Sequence, residues 1–232
     1  MTLHPRPPVS KGGKMIESVI FDMDGVIFDS ERIVCDLWID FAKENGMSGM
    51  DELIIKCIGI NDNATKKLFL EAYGEGCPYD EYKKVISQKY HELYDGGRLP
   101  MKPGVKELLG FLKENDIKTA LASSTKVKTV TNQLTDAGIL EYFDVVIGGD
   151  MVTKSKPDPE IFLEAADKLG VDPTKSFIIE DSLNGIKAAY AAGAKPLMVP
   201  DLIKPDEEIQ KICYNIFVNL HEIKAFFANF LH

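Results

Sequence analysis

Two carboxylates, Asp22 and Asp24, stand one residue apart where the apolar run Val19-Ile-Phe21 ends, and Gly25 follows them. At the C-terminal end of a strand this spacing can surround one hard cation while leaving a carboxylate oxygen free to react, and magnesium prefers such all-oxygen surroundings. A cation there would screen the repulsion between an anionic nucleophile and a phosphate and would hold the phosphoryl group in line. An isolated Asp-x-Asp is more often an exposed turn with solvated charges, so the reading depends on its company. Three other segments carry candidate groups: Leu121-Ala-Ser-Ser-Thr125 with Ser123 and Ser124, Lys154-Ser-Lys-Pro-Asp-Pro159 with Lys156, and Phe177-Ile-Ile-Glu-Asp-Ser-Leu-Asn-Gly185 with Glu180 and Asp181. Taken singly, these would be a turn, a surface lysine before a helix and a helix-capping turn.

Short β-rich runs unbroken by polar alternation recur at 18–21, 118–122, 145–147, 177–179 and 197–199. Strands buried on both faces read this way, which implies a parallel sheet covered by helices on each side: an α/β, doubly wound, Rossmann-like core. The intervening helices carry their own signals. Asp158 before Pro159 predicts an N-cap with proline at the first helical position, and Ser182 predicts a cap for a helix stopping at Gly193. Between Ser30 and Gly97 strands vanish, and three or four helical stretches follow one another, marked by Val34, Leu37 and Phe41, then Leu68 and Phe69, then Val85 and Ile86. The expected organisation is an extension at 1–14, a first core part at 15–29, an inserted α-helical cap at 30–97 and a second core part at 98–232.

Composition excludes several classes. With 232 residues, 45% hydrophobic, the chain can bury a full core, and its formal net charge of −9 gives no general pull toward nucleic acid or an anionic membrane. No apolar run approaches the roughly 20 residues needed to span a bilayer. The four cysteines (Cys35, Cys57, Cys77 and Cys213) form no C-x-x-C pair, and the four histidines have no zinc-type spacing. Reduced thiols in a cytoplasmic, monomeric protein are expected. Residues 1–14 are basic and rich in Pro and Gly without the apolar stretch of a signal peptide, and read as a flexible extension with Met15 as an alternative start.

The segment Asp22-Met-Asp-Gly-Val-Ile-Phe-Asp-Ser30 resembles the first motif of the haloacid dehalogenase-like superfamily, phosphatase branch. The other three segments match the family's remaining motifs in order. The resemblance implies an Asp22 nucleophile and an Asp24 that protonates the leaving alkoxide, then deprotonates water, and also offers its backbone carbonyl to Mg2+. It implies that Ser123, with Ser124 beside it, donates to a phosphoryl oxygen and that Lys156 neutralises the transferring group. Asp181 would ligate Mg2+ directly and Glu180 through water. Residues 30–97 correspond to a mobile cap, with Gly59 and Asn61 in a substrate-facing loop. The expected partner is a small phosphorylated metabolite, a sugar phosphate foremost.

Within the superfamily the inserted cap and the Glu-Asp-Ser motif resemble the β-phosphoglucomutase-like group, which contains both phosphatases and a mutase. The mutase's cap histidine and basic loop residue align with Val34 and with Gly59-Ile-Asn-Asp62, where neither group stands, and Asp62 would repel a second phosphate. Hydrolysis is therefore favoured over mutase chemistry. The dehalogenase branch has no need of Asp24. No G-x-G-x-x-G or G-x-x-x-x-G-K-[ST] is present to support a dinucleotide or nucleotide site. A response-regulator-like phosphoacceptor would be much shorter, and a silent metabolite binder would lack a motif residue.

Overall fold

The computed structural model describes residues 16–58 and 62–231; the expectations for residues 1–14 and for Gly59 and Asn61 lie outside the described residues. The β-branched and aromatic run Ser-Val-Ile-Phe forms β1 (Ser18–Phe21), buried at every position. Five further strands follow: β2 (Lys118–Ser123), β3 (Val145–Gly148), β4 (Ser176–Glu180), β5 (Lys195–Met198) and β6 (Asn215–Ile216). They pair in the order β3-β2-β1-β4-β5-β6, parallel throughout. The edge strand β6 escapes the sequence reading because it is two exposed residues long.

The long connection from β1 to β2 carries four helices of its own: α1 (Ser30–Glu44), α2 (Met50–Cys57), α3 (Asp62–Tyr73) and α4 (Tyr79–Tyr94). Their apolar faces meet around Trp38, Phe41, Phe69 and Tyr79. Trp38 and Phe69 have ring centroids 4.8 Å apart, and Phe69 and Tyr79 4.9 Å. The two strands of chain joining this unit to the sheet run side by side, with Asp29 N–H donating to Pro100 O at 3.0 Å and Lys102 N–H to Ile27 O at 2.8 Å.

Six more helices cover the sheet: α5 (Val105–Glu114), α6 (Val127–Asp136), α7 (Glu160–Leu169), α8 (Leu183–Ala191), α9 (Glu207–Ile212) and α10 (Leu220–Leu231). Val19 and Phe21 of β1 face a core shared with α5, α6 and α10, whereas Ile20 faces α7 and α8. That alternation makes the sheet doubly wound and explains why its strands show no polar face. One cap differs from expectation. Helix α7 begins at Glu160 with Pro159 as its N-cap, because the Pro159 carbonyl accepts the first intrahelical bond from Leu163 at 3.0 Å. Asp158 still accepts from Glu160 N–H at 3.1 Å. Ser182 caps α8 as its sequence implies, its Oγ accepting from Gly185 N–H at 3.0 Å. Among the described residues no helix is long and apolar enough to cross a membrane, and all four cysteines are free.

Because Trp38 is the chain's single tryptophan and packs on the fully buried Phe69, its fluorescence reports on the helical unit. Phe69→Ala removes the central ring and should cost about 3 to 5 kcal/mol. The urea midpoint followed by Trp38 emission should fall accordingly. An unchanged midpoint would show that this unit is not organised around these rings.

Candidate active site

In a parallel sheet every strand ends at the same edge, and here the strand order reverses direction beside β1, between β1 and β4. Asp22 lies one residue past β1, held there by its N–H donating to Ile179 O at 3.0 Å. Ser123 ends β2, Glu180 ends β4 and Asp181 follows it. The four motifs therefore converge although they are far apart in sequence. Two glycines permit the close approach. Gly25 has φ +77°, and a Cβ on it would fall 2.1 Å from Asp181 Oδ2; a Cβ on Gly185 would fall 1.8 Å from Glu180 Oε1.

Lys156 is buried at the centre, its Nζ 2.6 Å from Asp22 Oδ1, 2.6 Å from Glu180 Oε1 and 3.4 Å from Ala122 O. The other Glu180 oxygen accepts from Asp181 N–H, Ser182 N–H and Ser182 Oγ, each at 3.0 Å. Glu180 thus aims the ammonium at Asp22 while fixing the turn that carries Asp181. Burial alone would lower the Lys156 ammonium, but Asp22 and Glu180 outweigh it and hold the lysine charged, above its ordinary range. Asp22 and Asp181 are pushed well above the usual carboxylate range, first by burial and then by neighbouring carboxylates, with Lys156 acting against the rise. Glu180, fully buried and tied to the most donors, is the fixed partner of Lys156.

Asp24 turns its carboxylate toward hydroxyls: Oδ1 accepts from Ser30 Oγ at 2.5 Å, and Oδ2 from Thr125 Oγ1 at 3.1 Å and Ser123 Oγ at 3.5 Å. Ser123 is fully buried and also accepts from Thr125 N–H at 3.0 Å. Its hydroxyl therefore braces Asp24, while Ser124, Thr125 and Lys126 line the cavity above. Sequence reading missed Ser30 and Thr125 in this role; Thr125 stands two positions past Ser123, and Ser30 closes the first motif six positions past Asp24.

Oxygens of Asp22, Glu180 and Asp181 lie within 4.8 Å of one another, all on buried residues. Three carboxylates face the single ammonium of Lys156, so the donor set is anionic, oxygen-only and under-compensated, which suits a hard divalent cation. Asp181 belongs to a second group of the same kind with Glu31 and Asp201. Neither Glu31 nor Asp201 was read from sequence. Asp201 stands three residues past the end of β5, on the same sheet edge as Asp22, and Glu31 directly follows the first motif.

A cavity of about 1250 Å³ lies between α1–α4 and this edge of the sheet, lined by Val34, Trp38, Ile54, Ile86 and Tyr90 above and by Asp22, Asp24, Lys156 and Asp181 below. Asp62 is not among its lining residues. It accepts from Lys83 Nζ at 2.5 Å and Tyr79 OH at 2.9 Å, and Lys83 draws its carboxyl below the usual range. The repulsion expected of Asp62 is thus compensated by Lys83, a cation that does line the cavity.

The sheet is doubly wound, a helical unit is inserted after β1, and an aspartate at the switch point is held by a buried lysine. Residues 19–199 match the model of the haloacid dehalogenase-like hydrolase family, and the chain belongs to that family. It is 34% identical over 178 residues to a phosphorylated carbohydrates phosphatase of Thermotoga maritima, a match covering 77% of this chain and 82% of that one. It is 29% identical to hexitol phosphatase B of Escherichia coli, covering 81% and 85%. Among solved structures, a β-phosphoglucomutase from Clostridium difficile superposes with a TM-score of 0.71 at 27% identity, covering 92% of this chain and 96% of that one.

The carboxylate excess has a pH signature. Burial, then Asp24, Glu180 and Asp201, push Glu31 from its ordinary 4.5 to about 7, and Asp22 and Asp181 shift in the same direction. An acid raised on folding stabilises the protein below its ordinary value, and that stability is lost as pH rises through the folded value. The chelator-treated protein should therefore melt at a lower temperature at about pH 8 than at about pH 5, with the loss centred below about pH 7, and a divalent cation should restore the melting point at about pH 8. A melting temperature that rises with pH in chelator would contradict this electrostatic account.

Proposed function

We propose that the protein is a magnesium-dependent phosphatase that hydrolyses phosphomonoesters of small metabolites, sugar phosphates foremost, through an aspartyl phosphate on Asp22. The observation that carries this reading is the 2.6 Å contact between Asp22 and the buried Lys156, with Asp24 two residues on, at the floor of a cavity roofed by helices. Asp22, Asp181 and the Asp24 carbonyl would hold Mg2+, which supplies charge neutralisation between the nucleophile and the phosphate. Asp22 attacks phosphorus, the P–O bond to the leaving alkoxide breaks, and that alkoxide takes a proton from Asp24. Asp24 then removes a proton from water, whose oxygen attacks the phosphorus on Asp22; inorganic phosphate leaves and Asp22 is regenerated. Lys156 balances the charge on the acyl phosphate, and Ser30, Ser123 and Thr125 hold Asp24 in place between the two proton transfers. Residues 30–97 act as a cap that closes over the cavity and excludes bulk water. The carbohydrate and hexitol phosphatases among the relatives support the sugar-phosphate class, and four free thiols accord with a cytoplasmic site of action.

Asp22→Asn should abolish steady-state phosphate release from a panel of phosphorylated sugars and polyols while the fold persists, and Asp24→Asn should lower turnover roughly 100- to 10,000-fold. Chelation should silence the wild type, magnesium should restore it, and calcium should substitute poorly because its looser coordination does not enforce in-line geometry. Turnover by Asp22→Asn at the wild-type rate would remove the nucleophile from the mechanism.

Lys83 in the cavity lining favours a second reading, a phosphosugar mutase, in which a cap cation holds the distal phosphate of a bisphosphate. Val34 at the cap histidine's aligned position speaks against it, since no cap-side acid–base group stands there. Incubation with β-glucose 1-phosphate, magnesium and a bisphosphate primer should yield inorganic phosphate with little glucose 6-phosphate. Glucose 6-phosphate in excess of released phosphate would make the mutase the better reading.

A further inference from the structure

A second acidic group adjoins the expected cation site. Glu31, Asp181 and Asp201 present carboxylate oxygens within 4.8 Å of one another, and Asp181 is common to both groups. Elsewhere at this edge buried carboxylates have donors: both oxygens of Glu180 are engaged, and both of Asp24 accept from hydroxyls. Here two oxygens do not. Glu31 Oε2 and Asp201 Oδ2 are buried with no hydrogen-bond partner among the described residues, and the Asp201 side chain is only 3% exposed. The Asp201 Oδ1 oxygen is already served by Lys102 at 2.8 Å and Arg32 at 3.0 Å, so the local cations are spent on that atom. Negative charge gathered around Asp181, with oxygens that no donor among the described residues serves, suits a bound positive charge.

We propose that Glu31 is a cation-positioning residue: from the first turn of α1 it completes, with Asp201 behind it, the acidic surround of the divalent cation held by Asp22 and Asp181. The consequence follows from where Glu31 sits. Helix α1 is the first helix of the inserted unit, and Lys102, where the chain returns to the core, bridges Asp29 and Asp201 at 3.1 and 2.8 Å. A cation at Asp181 therefore draws the base of the cap onto the core, and its removal leaves like charges facing each other across that joint. Cation occupancy and cap seating are linked through one carboxylate.

This inference rests on the reading that Asp22 and Asp181 hold the cation, and Mn2+ titration of the full chain without substrate, followed by electron paramagnetic resonance, separates the two. The wild type should bind Mn2+, and Glu31→Gln should weaken that binding by roughly 10- to 100-fold, the range for outer partners of a metal site. Glu31→Asp, which keeps the charge with a shorter reach, should recover part of the loss. In chelator, Glu31→Gln should melt above the wild type because one repelling charge is gone, and Mg2+ should raise its melting temperature by less. Hydrogen exchange in the first turn of α1 should accelerate on chelation in the wild type and respond less in Glu31→Gln. Equal Mn2+ affinity in wild type and Glu31→Gln overturns the inference and leaves the cation site standing. A Glu31→Gln protein that melts lower by the same amount with and without Mg2+ also overturns it, since that is the mark of a purely structural side chain. A wild type that binds no Mn2+ removes both readings.

Discussion

Lys156 is, among the described residues, the one full positive charge buried among the carboxylates of Asp22, Glu180 and Asp181, and the architecture of the site follows from the need to place it. A lone buried ammonium is untenable and a lone buried carboxylate equally so. Pairing them in a 2.6 Å contact stabilises both, provided the remaining oxygens find donors. Glu180 meets that condition through two backbone amides and the Ser182 hydroxyl. The same Ser182 hydroxyl starts α8, so the ion pair, the turn and the helix are one unit.

The imbalance that remains is functional in character. Removing either partner of a buried pair is far more damaging than replacing the pair as a whole, which makes Lys156 and Glu180 poorly exchangeable. The imbalance bears on Asp22 and Asp181, whose carboxyls burial and neighbouring carboxylates push well above the usual range. A protein built only for stability would bury apolar groups here. Instead the edge of the sheet gathers carboxylates whose mutual repulsion a hard cation would relieve.

The helical unit α1–α4 joins this balance of charge at its base. Its own interior is aromatic, gathered around Trp38 and Phe69. Its attachment combines apolar packing, with Ile33 in the sheet-side core and Leu37, Tyr90 and Tyr94 against it, and polar ties: two adjacent chain segments, the Lys102 bridge and the Arg32 contact to Asp201. Polar joints of this kind respond to nearby charge in a way that an apolar seam does not. The cavity they enclose mixes aromatic and aliphatic cap side chains with charged core groups, the arrangement that orients a ligand by one end.

The sequence by itself determined the strands that matter and the residues at their ends. Apolar runs of four to six residues at β1, β2 and β4 are local signals, because burial on both faces leaves its mark in consecutive positions. The carboxylates and the lysine were legible for the same reason: each adjoins such a run or a helix start. What tertiary structure decided is which group meets which. That Lys156 reaches Asp22, 134 residues away, and divides itself between Asp22 and Glu180 depends on strand order and helix packing, which no local pattern encodes. The turning of Ser123 toward Asp24, the compensation of Asp62 by Lys83, and the meeting of Glu31 with Asp181 and Asp201 likewise arise between distant segments. Periodicity records how a residue is buried, whereas its partner is set by the long-range packing of elements whose register only the folded chain fixes.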